Sequence, residues 1–254
     1  SSVSPTNYKP DFLTPPAVPT DVKEEKDCDV LVIGMGLAGT AAAKEAAEAG
    51  KKVIVLEKQP KDSYSVISMA GDFGVVGSKI QKDLGIEWAP KADIMNEYVK
   101  ETGGRCDTWM MSYWYDHSGE AFDWYLEGLE DIAVLDRTDQ VPPKGVKCYV
   151  QPRRLPLPEG FDNAQENFKC YQVTAWIRPS HIALCRGNFE LAEKTGNVTS
   201  FFNTRVKKLL KNGDGRVEGV IAGTRQGGLI KAYASKGVIL ATGDYMSDEA
   251  MLRR

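Results

Sequence analysis

Two histidines and five cysteines are the scarcest reactive groups in this 254-residue chain. The cysteines (Cys28, Cys106, Cys148, Cys170, Cys185) are widely scattered and form no CxxC pair. That argues against a zinc site, a c-type haem on this chain or a disulfide framework, and no metal is expected. Charge of one sign is also lacking: 32 Lys and Arg stand against 35 Asp and Glu, for a net charge of −3. No general attractive field for nucleic acid results, so no nucleic-acid partner is expected. Long apolar runs are missing as well, and no transmembrane segment is expected. With 42% hydrophobic and 26% charged residues, the composition is that of an ordinary globular protein.

What is present concentrates in Asp29 to Lys58, DVLVIGMGLAGTAAAKEAAEAGKKVIVLEK. An apolar run, Val30 to Ile33, enters Gly34-Met35-Gly36-Leu37-Ala38-Gly39. An alanine-rich stretch of helical period follows to Gly50, and a second apolar run, Val53 to Leu56, ends at Glu57. This order predicts strand, glycine turn, helix and parallel strand. Each part has a task in holding a dinucleotide. Gly34 permits a tight turn, Gly36 lets a pyrophosphate approach the backbone, and Gly39 lets helix and strand pack closely. The helix start offers free N–H groups and a positive dipole end to phosphate. Glu57 is placed to accept a hydrogen bond from a ribose hydroxyl.

Residues 1–26 hold five of the thirteen prolines and no apolar period, which predicts an extended leader outside the core. The chain begins at Ser1 rather than Met, so a removed segment is expected, either a signal peptide or residues added in cloning. The first implies export or attachment to the cell envelope; otherwise a cytoplasmic place is expected. After Lys58 comes a loop of small and polar residues. Helices are expected over Asp93 to Lys100 and Cys106 to Leu126, the latter broken by a cap at Ser118. Trp109, Met110, Tyr113 and Trp114 predict a core stripe, and His117 a structural histidine. An irregular insert is expected at about 136–176, where Arg153 and Arg154, with Arg178 just beyond, read as surface arginines or an anion grip. A serine-capped helix from Ser180 to Lys194 follows. Short strands with turns at Asn212 to Gly215 and Gly227-Gly228 then predict an antiparallel meander from Val198 to Ala234, and Gly237 to Ala241 a buried strand.

Taken together, the opening fingerprint, SGEAFDW, NTRVKKLLKNGDGRVEGV and KGVILATGD resemble the succinate dehydrogenase/fumarate reductase flavoprotein family, from about Asp27 to the C-terminus. The likeness is greatest to exported members of anaerobic bacteria that reduce activated C=C bonds. The resemblance implies an α/β, Rossmann-like FAD-binding domain of the glutathione-reductase type over 27–254, and FAD as cofactor. It implies that Gly34, Gly36, Leu37, Ala38 and Gly39 face the pyrophosphate, and that Glu57 and Lys58 lie at the adenosine ribose. Ser68, Met69, Ala70 and Gly71 would contact the cofactor, Val206 would hold the adenine through its backbone, and Ala241, Thr242 and Gly243 would pass beside the dinucleotide. The family's GGNS and AGG read here as Ser63-Tyr64-Ser65-Val66 and Ala70-Gly71-Asp72, and its ATGG ends here in Asp244.

The family's capping domain and the second half of its FAD domain lie beyond Arg254 in this pattern. No catalytic residue is therefore carried over, and none of His117, His181, Arg153, Arg154 and Arg178 sits in a motif that the family uses. Three functions are compatible with these residues. The first is the FAD-binding portion of a reductase acting on a small unsaturated substrate, served by a separate electron-donor protein. The second is a non-catalytic FAD-binding subunit. The third, a nicotinamide-dependent dehydrogenase, is disfavoured by the meander and the ATG strand. The isolated chain is expected to bind FAD weakly and not to turn over.

Overall fold

Ten residues from Glu24 to Ile33 form the strand on which the larger sheet is built, β1. The structure, a computed structural model, describes residues 17, 21–64, 72–83, 90–129, 133–135, 174–178, 180–245 and 252. After β1 come α1 (Leu37–Glu48), β2 (Val53–Leu56), β3 (Asp72–Gly74), α2 (Lys79–Asp83), α3 (Lys91–Glu101), α4 (Thr108–Leu126), β4 (Ala133–Leu135) and β5 (Thr174–Arg178). The chain continues through α5 (His181–Lys194), β6 (Val198–Phe201), β7 (Thr204–Lys211), β8 (Val217–Thr224) and β9 (Leu229–Leu240). It divides into two compact units, Ser1–Val66 with Asn188–Arg254, and Ile67–Gly187.

The first unit is a mixed α/β body around a six-stranded sheet of order β6-β2-β1-β9-β8-β7. β6, β2, β1 and β9 run parallel, β8 runs antiparallel to β9, and β7 pairs antiparallel with β8 and so returns to the common direction. β2 is buried on both sides, as its unbroken apolar run requires. Ile54 and Leu56 join Leu31, Ile33, Val220 and Ala232 on one face, with Val206 and Leu209 of β7 packed against them. Val53 and Val55 join Val32, Met35, Ala43, Ala47 and Phe189 on the other. Small residues at most of the buried positions of α1, Gly39, Thr40, Ala43 and Ala47, let the helix lie close over the sheet.

Several sequence expectations change here. β1 begins at Glu24, so Glu24 to Lys26 leave the expected leader and pair with Ile230 to Ala232. The last leader proline is Pro19, and a proline-free strand can extend as far as its partner does. The expected strands Leu229 to Ala234 and Gly237 to Ala241 are one strand, β9. Ser235 and Lys236 are a bulge rather than a break: Cys28 pairs with Ala234 and Val30 with Gly237, leaving Asp29 opposite two residues. The Asp29 carboxylate accepts the Lys52 N–H at 3.0 Å and the Ser235 hydroxyl at 3.2 Å. The Lys52 N–H is the main reason that this carboxyl titrates below its ordinary range. Val198 to Phe201 also leave the expected meander, because β6 pairs parallel with β2 at the far edge.

Cys28 shows what burial in this sheet does to a thiol. It is buried, and its Sγ donates to the Tyr233 carbonyl at 3.2 Å. Burial pushes the thiol up from 9.0 to about 11. Its folded value lies above its unfolded one, so its contribution to stability is complete below pH 9.0 and is lost as pH rises toward 11. At pH 8 the native protein is expected to leave Cys28 unlabelled by a thiol reagent that modifies it in denaturant. Fast native labelling, read by peptide mass, would contradict that burial.

The second unit holds an antiparallel three-stranded sheet, order β3-β5-β4, and helices α2 to α4. α4 is a single helix capped by Asp107, whose carboxylate accepts the Trp109 and Met110 N–H groups at 2.9 and 3.1 Å. Ser118 is no cap. Its hydroxyl accepts the Val76 N–H at 3.0 Å, and next to it a Cβ on Gly119 would sit 2.4 Å from the Val76 carbonyl oxygen. Three of the four residues of the expected core stripe face outward, Trp109, Met110 and Tyr113 being 69%, 59% and 55% exposed, while Trp114 packs against Val76 and Ile94 as expected. Trp109 stacks on Tyr113 at 5.6 Å, and Tyr113 lies 4.2 Å from the exposed ring of His117. α4 carries two aromatic rows at helical spacing, and the inward one is Trp114, Ser118, Phe122 and Tyr125. The expected insert at 136–176 lies outside the described residues except for part of β5.

Candidate functional site

At the ends of the parallel strands, β1 turns into α1 through three glycines with three different surroundings. Gly34 has φ +97°, and its N–H donates to the Leu56 carbonyl at 2.8 Å. A Cβ on Gly34 would stand 2.4 Å from the Ala241 carbonyl oxygen. A Cβ on Gly39 would stand 1.9 Å from the Gly34 carbonyl oxygen. Gly36 is the opposite case: a Cβ there meets nothing within 4 Å. Two of these glycines are demanded by the protein's own packing, and the third opens on space.

That space lies at the start of α1. Gly36 is its N-cap, no side chain caps the helix, and its first turn carries no acidic residue. The Thr40 N–H closes the first turn on the Gly36 carbonyl at 2.9 Å. Leu37, Ala38 and Gly39 therefore precede the first intrahelical donor, where amides and dipole favour an anion. An uncapped helix start with room over its cap glycine fits a pyrophosphate.

Glu57 directly follows β2 and is buried, 6% exposed. Its two carboxylate oxygens accept the Met35 N–H at 2.8 Å and the Gln59 N–H at 2.7 Å. A carboxylate holds about four lone-pair positions, so acceptor capacity remains for a ribose hydroxyl. Lys58 beside it is exposed. Ala241 joins this group, its N–H donating to the Ile33 carbonyl at 2.8 Å. Thr242 and Gly243 continue from it, both exposed, and Gly243 has φ +74°, which accounts for glycine there.

The structure thus gathers Gly34 to Gly39, Glu57 and Ala241 to Gly243 in the first unit. Val206 lies on β7, half-buried, paired with Ala222 just before a register shift at Lys207. β7 is tied to the site by the Thr204 N–H, which donates to the Glu57 carbonyl at 2.8 Å. Ser68, Met69, Ala70 and Gly71 lie outside the described residues, as do Arg153 and Arg154. His117, His181 and Arg178 belong to the second unit. Sequence reasoning missed Met35, Gln59 and Asn203, whose backbone groups hold Glu57 and its neighbours. The one signal for them is the Asn between Phe202 and Thr204, a residue suited to positive φ. Among the described residues, no group of three or more His, Cys, Asp or Glu could hold a metal ion, and no helix is long and apolar enough to cross a membrane.

A family profile described as "FAD binding domain" matches residues 29–254. Digoxin reductase of Eggerthella lenta is 27% identical over 229 residues, covering 88% of this chain and 37% of that protein. A probable fumarate reductase of Shewanella frigidimarina is 28% identical over 236 residues, covering 88% of this chain and 33% of that protein. Among solved structures, the open conformation of a flavocytochrome c3 fumarate reductase matches with a TM-score of 0.60 at 26% identity, covering 87% of this chain and 34% of that one. The chain spans about a third of the length of these curated relatives.

Proposed function

This chain belongs to the FAD binding domain family, and from that premise we propose that it is the FAD-holding portion of an oxidoreductase reducing an activated C=C bond. The observation that carries the reading is the contrast between Gly36, open to a ligand, and Gly34 and Gly39, closed by the fold. In this reading the Leu37, Ala38 and Gly39 amides bind the pyrophosphate, and Glu57 with Lys58 stands at the adenosine ribose. The Val206 backbone meets the adenine, and Ala241, Thr242 and Gly243 line the dinucleotide. Ser68 to Gly71 would add contacts from the loop after β2. The fold would be of the glutathione-reductase type over 27–254, with a leader before it and the insert at about 136–176 within it.

When bound, FAD supplies hydride transfer to an electron-poor double bond, the chemistry for which relatives are named as digoxin and fumarate reductases. The described residues bind and orient it. The substrate class is then a small unsaturated carboxylate or enone, with electrons from a separate donor protein. Export or cell-envelope association belongs to the same proposal. Titrating the purified chain with FAD is expected to quench flavin fluorescence at one equivalent and to leave a yellow protein. The 254 residues alone are not expected to oxidise reduced viologen with fumarate, urocanate or an enone, since no described residue is assigned proton delivery. Tighter binding of a nicotinamide dinucleotide than of FAD would overturn the cofactor reading. Viologen turnover would expose a catalytic group within these residues.

A further inference from the structure

We infer that Asn203 is a positioning residue for the adenosine end of this site, acting through a hydrogen-bonded relay that ends at the glycine turn. The inference rests on the cofactor reading above. Asn203 is the one non-glycine residue with positive φ among those described, at 52°. A Cβ residue pays for left-handed backbone, and Asn pays least because its short polar side chain bonds locally.

The conformation lets one residue serve two loops. The Asn203 N–H donates to the Gln59 carbonyl at 3.0 Å, and the Asn203 carbonyl accepts the Arg225 N–H at 2.9 Å. On either side of it, the Glu57 N–H donates to the Phe201 carbonyl at 2.9 Å and the Thr204 N–H to the Glu57 carbonyl at 2.8 Å. Gln59 then donates its own N–H to Glu57 Oε1 at 2.7 Å, and Glu57 Oε2 accepts the Met35 N–H at 2.8 Å. The relay runs from the β8–β9 turn through Asn203, Gln59 and the Glu57 carboxylate to Met35, between Gly34 and Gly36. Glu57 is buried, so these two amides rather than bulk water set the plane of its carboxylate. Asn203 therefore aims the acid without touching the ribose.

The test compares wild type with Asn203→Val, Asn203→Gly and Ile221→Val, the last a conservative change at a fully buried position on β8 that controls for lost stability. Hydrogen exchange at the Met35 and Gln59 amides is followed without cofactor, and FAD affinity by fluorescence titration. Asn203→Val is expected to speed exchange at both amides and to weaken FAD about tenfold, the left-handed penalty passed on to the ligand. Asn203→Gly, free to keep the conformation, is expected to restore both readings, and Ile221→Val to leave both as in wild type. Should Asn203→Val not fold, Asn203→Ala is read by the same comparison. Unchanged Met35 exchange in the Val or Ala variant overturns the relay, as does a Gly variant that fails equally. A wild-type chain that takes up no FAD sinks the cofactor reading instead, and the exchange data still decide the relay.

Discussion

Gly39→Ala is expected to lower unfolding stability by about 3 kcal/mol, the upper range for forcing an extra carbon into a packed site, and to abolish FAD binding with it. The new Cβ would sit 1.9 Å from the Gly34 carbonyl oxygen and 2.8 Å from its carbon, so backbone must move. Gly34 cannot yield cheaply. Its N–H is bonded to Leu56, and its φ of +97° holds it against Ala241. Moving α1 instead would pull Ala43 and Ala47 off the sheet. Gly36→Ala is the matching experiment with the opposite split. Its Cβ meets no protein atom within 4 Å, so stability should fall only by about 1 kcal/mol for a poorer N-cap. FAD binding should fall by about 1.5–3 kcal/mol, as the methyl fills the room the phosphates need. Thermal melts without cofactor and FAD titrations separate the two variants. Wild-type melting of Gly39→Ala, or wild-type FAD affinity of Gly36→Ala, would refute the division of roles.

Glu57→Ala is expected to be the most damaging single change to binding that leaves the glycines intact. It removes one acceptor from each of the Met35 and Gln59 amides, and an unsatisfied buried donor costs about 1–3 kcal/mol. It also removes the group proposed to meet the ribose. Glu57→Gln is milder, since one oxygen survives, but its amide must face an N–H that needs an acceptor. A loss of about 1–3 kcal/mol in FAD affinity is expected for Gln, the scale of a charge-assisted hydrogen bond. Calorimetric titration of both variants, with melts to account for stability, checks this order. FAD affinity unchanged in Glu57→Gln would remove Glu57 from the ribose.

Why was the segment from Val30 to Glu57 readable in advance while its surroundings were not? Its parts are neighbours in sequence: strand, turn, helix and strand follow one another, and glycine and apolar period report each. The rest depends on partners far away. EEKDC at the start of β1 has no strand-like alternation, and it becomes strand because β9 lies beside it. Val198 to Phe201 looks like the first arm of a hairpin, yet Asn203 sends β7 away and leaves β6 beside β2. Trp109 and Tyr113 share helical spacing with the buried row of α4, and spacing alone does not say which row faces in. The glycine turn is legible in sequence as a candidate site, but the amides that hold Glu57 carry no side-chain signature.

The pairing of β1 with β9 also sets a timetable. Asp29 and Ser235, joined across the bulge, are 206 positions apart. At roughly 5–20 residues per second, a ribosome needs about 10–40 seconds between making one and the other. Through that interval Leu31, Val32 and Ile33, almost wholly enclosed in the finished sheet, have only β2 on one side and an open edge on the other. An apolar edge of this kind pairs with whatever extended chain it meets. Until β9 is made the newborn chain therefore carries an apolar edge open to mispairing, and slower translation between the two strands is expected to lower the yield of folded protein.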